Sequence, residues 1–239
     1  MDISGKVVII TGASAGIGLA SARRFASEGA RLVLAARSGD KLSQLVEELI
    51  RQGGEAISLP TDMRRPEAVS AMIEQAFRHY GRIDILINNA GQAAAGTVAE
   101  VNPDDFRQIL DLNVFGPLYA MQAVIPKMRQ GKGGLIINIS SMVTKMHLPG
   151  LSAYTATKSA LNMLSETARV ELAPENIRVI TVYPRMTATD FGKHSLGKPR
   201  AHESQRSMAS PNVVVDSAEH VAEKILESAV NEPAEQYME

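Results

Sequence analysis

Tyr154 and Lys158 stand four residues apart in a stretch whose apolar period predicts a helix over about 153–172. That spacing puts both side chains on one helix face, where they can approach one ligand. A free phenol titrates near about 10 and is a poor base at neutral pH, but a nearby ammonium favours the phenolate. The pair is suited to acid–base work on a bound molecule. A second group is glycine-rich: Thr11-Gly12-Ala13-Ser14-Ala15-Gly16-Ile17-Gly18 joins a strand-like run to a helix-like one. Glycines allow a tight turn and a close backbone approach, and the first amides of a helix favour an anionic diphosphate. A third feature lies at Ala35-Ala36-Arg37-Ser38. A site for NAD usually places a carboxylate near this point for the ribose 2′-hydroxyl. Ala36 stands there with Arg37 beside it, which favours a 2′-phosphate and therefore NADP(H). The bland alternative makes Arg37 only a solvated residue after a strand, and Lys41 an exposed residue in a first helical turn.

These groups need elements to position them. β-branched runs at 7–10, 32–35, 56–59, 83–87, 135–139 and 178–182 alternate with helix-length segments at about 17–26, 40–51, 66–79, 104–129 and 153–172. A further helix at about 217–230 precedes a possible edge strand at 235–238. Gly29, Gly53-Gly54, Gly81 and Gly133-Gly134 fall where helices should stop. The order predicts an α/β chain of one domain, 1–239: a Rossmann-type, doubly wound parallel sheet of about seven strands with helices on both faces. Ligands are expected at the carboxyl ends of the strands. From Pro184 to Asn212 no apolar period appears, and so long a connection is expected to act as a substrate lid. It carries Arg185, Lys193, Lys198, Arg200 and Arg206 against Asp190 and Glu203, a basic patch in a chain of net charge −1.

The composition narrows the function further. Lys and Arg number 25 against 26 Asp and Glu, which argues against a general nucleic-acid binder or a polybasic membrane-surface protein. With no cysteine there is no thiol nucleophile and no cysteine-ligated metal. The histidines, His79, His147, His194, His202 and His220, lack metal-ligand spacing, so no metal site is expected. No run of roughly 18 uninterrupted apolar residues suggests a membrane span, and the strand-like start leaves no room for a signal peptide. The expectation is a cytoplasmic protein of 239 residues.

The motifs together resemble the short-chain dehydrogenase/reductase family over nearly the whole chain. Thr11-Gly-x-x-x-Gly-Ile-Gly18 is similar to its cofactor motif, Asn88-Asn89-Ala90-Gly91 to its second signature, and Asn113 in Leu112-Asn113-Val114 to its long-helix asparagine. Ser141 and Tyr154-x-x-x-Lys158 follow at family spacing, which selects Ser141 over its neighbour Ser140. The resemblance implies a catalytic set of Asn113, Ser141, Tyr154 and Lys158. It also implies cofactor contacts from Gly12, Ser14, Gly16, Ile17, Gly18, Arg37, Asp62, Asn89, Tyr154, Lys158, Thr187 and Thr189. Asp62 would meet the adenine amino group. Lys158 would donate to the nicotinamide ribose, Ser141 would hold the substrate oxygen, and Asn113 would anchor a water linking Lys158 to solvent. The implied reaction is hydride transfer between NADP(H) and a small-molecule carbonyl or secondary alcohol, in a homodimer or homotetramer built on the helices at 104–129 and 153–172.

One position departs from the family. Where Pro-Gly is usual after the sixth strand, this chain reads Pro184-Arg185. Arg185 either attracts an anionic substrate, crowds the nicotinamide, or turns to solvent. Two other functions compete: a reductase of carrier-bound 3-oxoacyl groups docked by the basic lid, and a catalytically weak NADP-binding sensor or scaffold. A Rossmann-type methyltransferase is more distant, having no use for the Tyr–Lys pair. The substrate is expected to touch Gln92, Ala93, the stretches 142–146 and 148–151, Met186 and the 190–210 segment, a mostly apolar lining.

Overall fold

Runs of Val, Ile and Leu flanked by turn residues become strands that are hidden on both faces. In the computed structural model, which describes residues 1–197 and 214–238, these strands are β1 (Val7–Thr11), β2 (Arg31–Ala36), β3 (Glu55–Pro60), β4 (Ile85–Asn88), β5 (Gly134–Ile139) and β6 (Ile177–Tyr183). Two short strands follow, β7 (Met186–Thr187) and β8 (Val215–Asp216), then β9 (Glu235–Tyr237). The helices are α1 (Gly16–Ser27), α2 (Gly39–Arg51), α3 (Pro66–Tyr80), α4 (Pro103–Leu110), α5 (Gly116–Gln130), α6 (Ser152–Leu172) and α7 (Ala218–Asn231).

The seven-stranded sheet is parallel throughout, in the order β3-β2-β1-β4-β5-β6-β9. Alternate residues of each strand serve opposite layers. Val8, Ile10, Leu32 and Leu34 pack with Phe25, Leu42, Leu49, Val221 and Ile225 from α1, α2 and α7. Val7, Ile9 and Val33 pack with Met72, Ile73, Val124, Met128 and Leu172 from α3, α5 and α6. Each such Leu, Ile or Val contributes about 1.5–3 kcal/mol on burial, which is why these runs read as apolar without alternation. The chain leaves β1 toward β2 on one side and returns to β4 on the other, so the strand order reverses there. A crevice opens at such a switch point, at the carboxyl ends of the two strands.

Two details differ from the sequence pattern. The stretch expected as one helix over 104–129 is α4 and α5 joined by a π-helical turn, Asp111–Phe115. A five-residue turn is too short to show a period of its own in the sequence. Pro103–Gln130 as a whole is long and apolar enough to cross a membrane, but its inner face packs on α3, α6 and the sheet. The region after β6 is also less irregular than expected. β7 pairs in parallel with β8, a 3₁₀ turn covers Asp190–His194, and Leu196 bridges to Ala94. Residues 198–212 of the expected lid lie outside the described residues.

Candidate active site

The glycine loop begins where β1 stops. Gly12 and Gly16 have positive φ (69° and 53°), which suits glycine. Gly18 is needed for packing instead: a Cβ there would lie 2.3 Å from the Gly12 carbonyl oxygen. The loop is braced from β4. The Thr11 hydroxyl accepts the N–H groups of Asn89 and Ala90, both at 3.0 Å, and Asn89 Nδ2 donates to the Thr11 carbonyl at 2.9 Å. Asn89 thus ties the ends of β1 and β4 together. Ala15 precedes α1 without a capping side chain, and the first turn has no acidic residue. The helix start keeps its amides for a ligand, which fits a dinucleotide diphosphate. Ser14 is half-buried in this loop, and Ile17 packs on the core beneath it.

Arg37 is exposed at the end of β2, beside the buried Ala36. Asp62 follows β3, and its carboxylate is gripped by Arg64 through Nε at 3.0 Å and Nη2 at 2.6 Å. The Arg64 hydrogen bonds hold the Asp62 carboxyl below the usual range, with a smaller contribution from the Arg37 charge. Two cations therefore stand near the end of the crevice expected to take the adenosine.

At the other end, Ser141, Tyr154 and Lys158 come together. Ser141 follows β5, and its hydroxyl accepts the Val143 N–H at 3.3 Å and lies near enough to the Tyr154 phenol to favour its ionised form. Ser140 is turned away: its hydroxyl donates to Asn162 on α6. Lys158 is 3% exposed, lies with Nζ 5.9 Å from the Tyr154 ring centre and donates to the Ile139 carbonyl at 2.7 Å. Burial pushes the phenol up to about 12, only partly offset by the Ser141 hydroxyl, and pushes the lysine down to about 8. The expected lowering of the phenol by Lys158 is not seen here; loss of water sets the direction.

Asn113 sits in the π-helical turn, fully buried. It accepts the Gln92 N–H at 2.9 Å and donates to the Gln92 carbonyl at 2.8 Å and to the Thr157 hydroxyl at 3.0 Å. A Cβ on Gly91 would lie 3.3 Å from Asn113 Oδ1 and 3.5 Å from Lys158 Nζ, so the two groups flank that glycine. A buried amide chain fixes α6 against the sheet. Asn88 Nδ2 donates to Asn138 Oδ1, and Asn138 Nδ2 to the Ser165 hydroxyl, each at 2.8 Å.

The chain after β6 closes over both ends. Thr189 packs on the glycine loop, its Cγ2 being 3.2 Å from where a Gly16 Cβ would be. Thr187 bonds the Arg185 carbonyl through its hydroxyl. The Phe191 ring lies 5.8 Å from that of Tyr154. Ala93, Ala94, Ile109 and Ala153 cluster with Tyr154, and Val143 and Leu196 pack against them. Arg185 is turned to Asp216, and its backbone is not among the described positive-φ residues. Thr157, Asp216 and the Asn88–Asn138–Ser165 chain are the parts that motif reading missed. Only chemistry-bearing residue types at helical spacing could have flagged Thr157, and nothing local flags Asp216.

The sequence profile of the short chain dehydrogenase family matches residues 6–199. The chain is 34% identical over 237 residues to an uncharacterized oxidoreductase of Staphylococcus saprophyticus, covering 97% of this chain and 95% of the relative. A 7α-hydroxysteroid dehydrogenase solved with NADH and 7-oxo glycochenodeoxycholic acid superimposes with a TM-score of 0.88 at 29% identity, covering 98% and 93% of the two chains. L-sorbose reductase from Gluconobacter frateurii, solved with NADPH and L-sorbose, gives 0.84 at 32% identity, covering 95% and 91%.

The buried lysine makes a measurable prediction for the unliganded chain. Its folded pKa of about 8 is below its ordinary value, so at higher pH the unfolded chain binds the extra proton. Stability should therefore rise between pH about 8 and about 10, by up to about 1.4 kcal/mol per unit. Above about 10 the Tyr154 phenol, held protonated only in the folded state, reverses the slope. Urea unfolding should show this rise in the wild type and none in Lys158→Met; equal curves would contradict the burial argument.

Proposed function

Because the chain belongs to the short-chain dehydrogenase family and is an oxidoreductase, we propose that it transfers hydride between NADP(H) and a carbonyl or secondary alcohol, with Tyr154 as general acid and base. The observation that carries this reading is the convergence of Ser141, Tyr154 and the buried Lys158, with Lys158 Nζ 5.9 Å from the centre of the Tyr154 ring. The nicotinamide supplies or accepts the hydride when bound. All other steps fall to the chain. Ser141 holds the substrate oxygen beside the phenol. In reduction Tyr154 Oη gives its proton to that oxygen, and burial keeps the phenol protonated and ready. Lys158 would donate to the ribose hydroxyls of the bound cofactor, stay charged and stabilise the phenolate that is left. Asn113 would anchor a water that links Lys158 to solvent, through which the proton is replaced. In oxidation the same groups run backwards, with Tyr154 as base.

The glycine loop and the uncapped start of α1 would hold the diphosphate, with Asn89 bracing the loop and Thr187 and Thr189 closing over it. Arg37 would take the 2′-phosphate, and the absence of a carboxylate at Ala36 supports NADP(H). Asp62 would receive the adenine. The apolar cluster around Tyr154 and Phe191 supports an apolar carbonyl, in the manner of the steroid dehydrogenase above. The segment from Met186 to Leu196 forms one wall of that pocket and the described part of a substrate lid. Met163 and Val170 are 63% and 72% exposed on α6, apolar positions that a homodimer or homotetramer would cover. Arg185, the residue that suggested a weak sensor, is engaged by Asp216 and does not stand in the way of turnover.

Ketones of rising size, with NADPH and NADH as donors, test the reading. Tyr154→Phe should lose about 10²–10⁴-fold in ketone reduction while NADPH binding stays intact. Full activity in that variant would refute the acid–base role. Arg37→Asp should weaken NADPH use by roughly tenfold or more and favour NADH. A wild type that already prefers NADH would refute the role given to Arg37.

A further inference from the structure

The arginine that replaces the family glycine has a partner 31 residues away. Arg185 Nε donates to Asp216 Oδ2 at 3.0 Å and Nη2 to Oδ1 at 2.8 Å, two parallel bonds of the kind a guanidinium fork makes with a carboxylate. The Asp216 side chain is 5% exposed, so its charge would be costly without such a partner. His220 Nε2 stands 3.9 Å from the same carboxylate. Main-chain bonds repeat the connection. Met186 and Thr187 lie opposite Val215 and Asp216 in the β7–β8 pair, and the Ala188 N–H donates to the Asp216 carbonyl at 2.9 Å. The next residue, Ser217, caps α7, which packs on α1. Asp216 is therefore fixed to the body of the fold, and Arg185 fixes the strand end to Asp216.

The strap leaving this junction touches both halves of the site. Thr189 lies on Gly16 of the glycine loop, Phe191 lies against Tyr154, and the Gln92 amide donates to the His194 carbonyl at 2.7 Å. A shift at Arg185 would move all three contacts together. We propose that Arg185 and Asp216 are a pair of positioning residues that set the place of Thr187–Phe191 over the cofactor end of the crevice. Dinucleotide affinity then depends on both residues, although each acts through the strap. This rests on the nicotinamide-dinucleotide reading above. It also gives Arg185 a role that differs from attracting substrate, from crowding the ring and from pointing to solvent.

Titration with NADPH, followed by its own fluorescence, tests the pair in the full chain. Arg185→Ala and Asp216→Asn should each raise Kd and the KM for NADPH by roughly tenfold, with kcat changed less than about threefold. The double variant should be no weaker than the worse single one, and Arg185→Lys should recover part of the loss. Asp216→Asn keeps the shape of the side chain, so it remains informative if larger changes prevent folding. Unchanged Kd in both singles overturns the proposal. So does a loss confined to the Arg185 variants, which would mean that Arg185 meets the ligand itself. A wild type that binds neither NADPH nor NADH overturns the functional reading and this inference with it; a wild type that binds, with indifferent variants, overturns this inference alone.

Discussion

A parallel sheet covered by helices on both faces has only its ends for polar chemistry. Every residue of β1 and β5 is buried, and apolar layers seal both sides. The amide and hydroxyl groups that do chemistry are therefore gathered where strands stop. β1 ends in the glycine loop, β4 in Asn89 and Gly91, β5 in Ser141 and β6 in the Arg185 strap. The sheet also fixes their spacing, since the register of adjacent strands sets how far apart their ends lie. Thr11 and Asn89 bond across the switch point, so the two halves of the crevice form one rigid unit.

Against that frame the interior placement of Lys158 is a cost. An ammonium at 3% exposure loses its hydration, and among the described residues it donates to the Ile139 carbonyl. The fold carries this through the rest of α6. Thr157 bonds both Asn113 and the Tyr154 carbonyl, while Ser165 anchors the helix to Asn138. The helix cannot rotate to bring the lysine to solvent without breaking these bonds. A lysine whose charge is poorly solvated responds strongly to whatever polar group approaches it, and the phenol above it responds in turn.

Much of this was legible in the sequence, for reasons that can be named. The strands were visible because double-sided burial leaves uninterrupted apolar runs, and the glycine loop because positive φ and close packing demand glycine at Gly12, Gly16 and Gly18. Tyr154 and Lys158 were visible because helical spacing is local. What escaped depends on distant contacts. β7 and β8 are two residues each, too short for any period. Asp216, next to the capping Ser217, looks like an ordinary residue at a helix start until Arg185 is placed beside it. The π-helical turn around Asn113 is too short to show a period of its own. The sign of the phenol shift was also beyond reach, because spacing shows that an ammonium is near but not that water is absent.

In the proposed mechanism Lys158 governs the proton on Tyr154 only once a bound dinucleotide holds its ammonium charged. This is tested most directly by titrating tyrosinate absorbance in the wild type against Tyr154→Phe, with and without saturating NADP⁺. The difference signal isolates Tyr154 from the other tyrosines with raised titration, the half-buried Tyr80 and the buried Tyr183 among them. Without cofactor the phenol should titrate well above its ordinary value, near about 12. With NADP⁺ the midpoint should fall by about two units or more, as Lys158 is held charged. The same midpoint in both states would contradict the role assigned to Lys158.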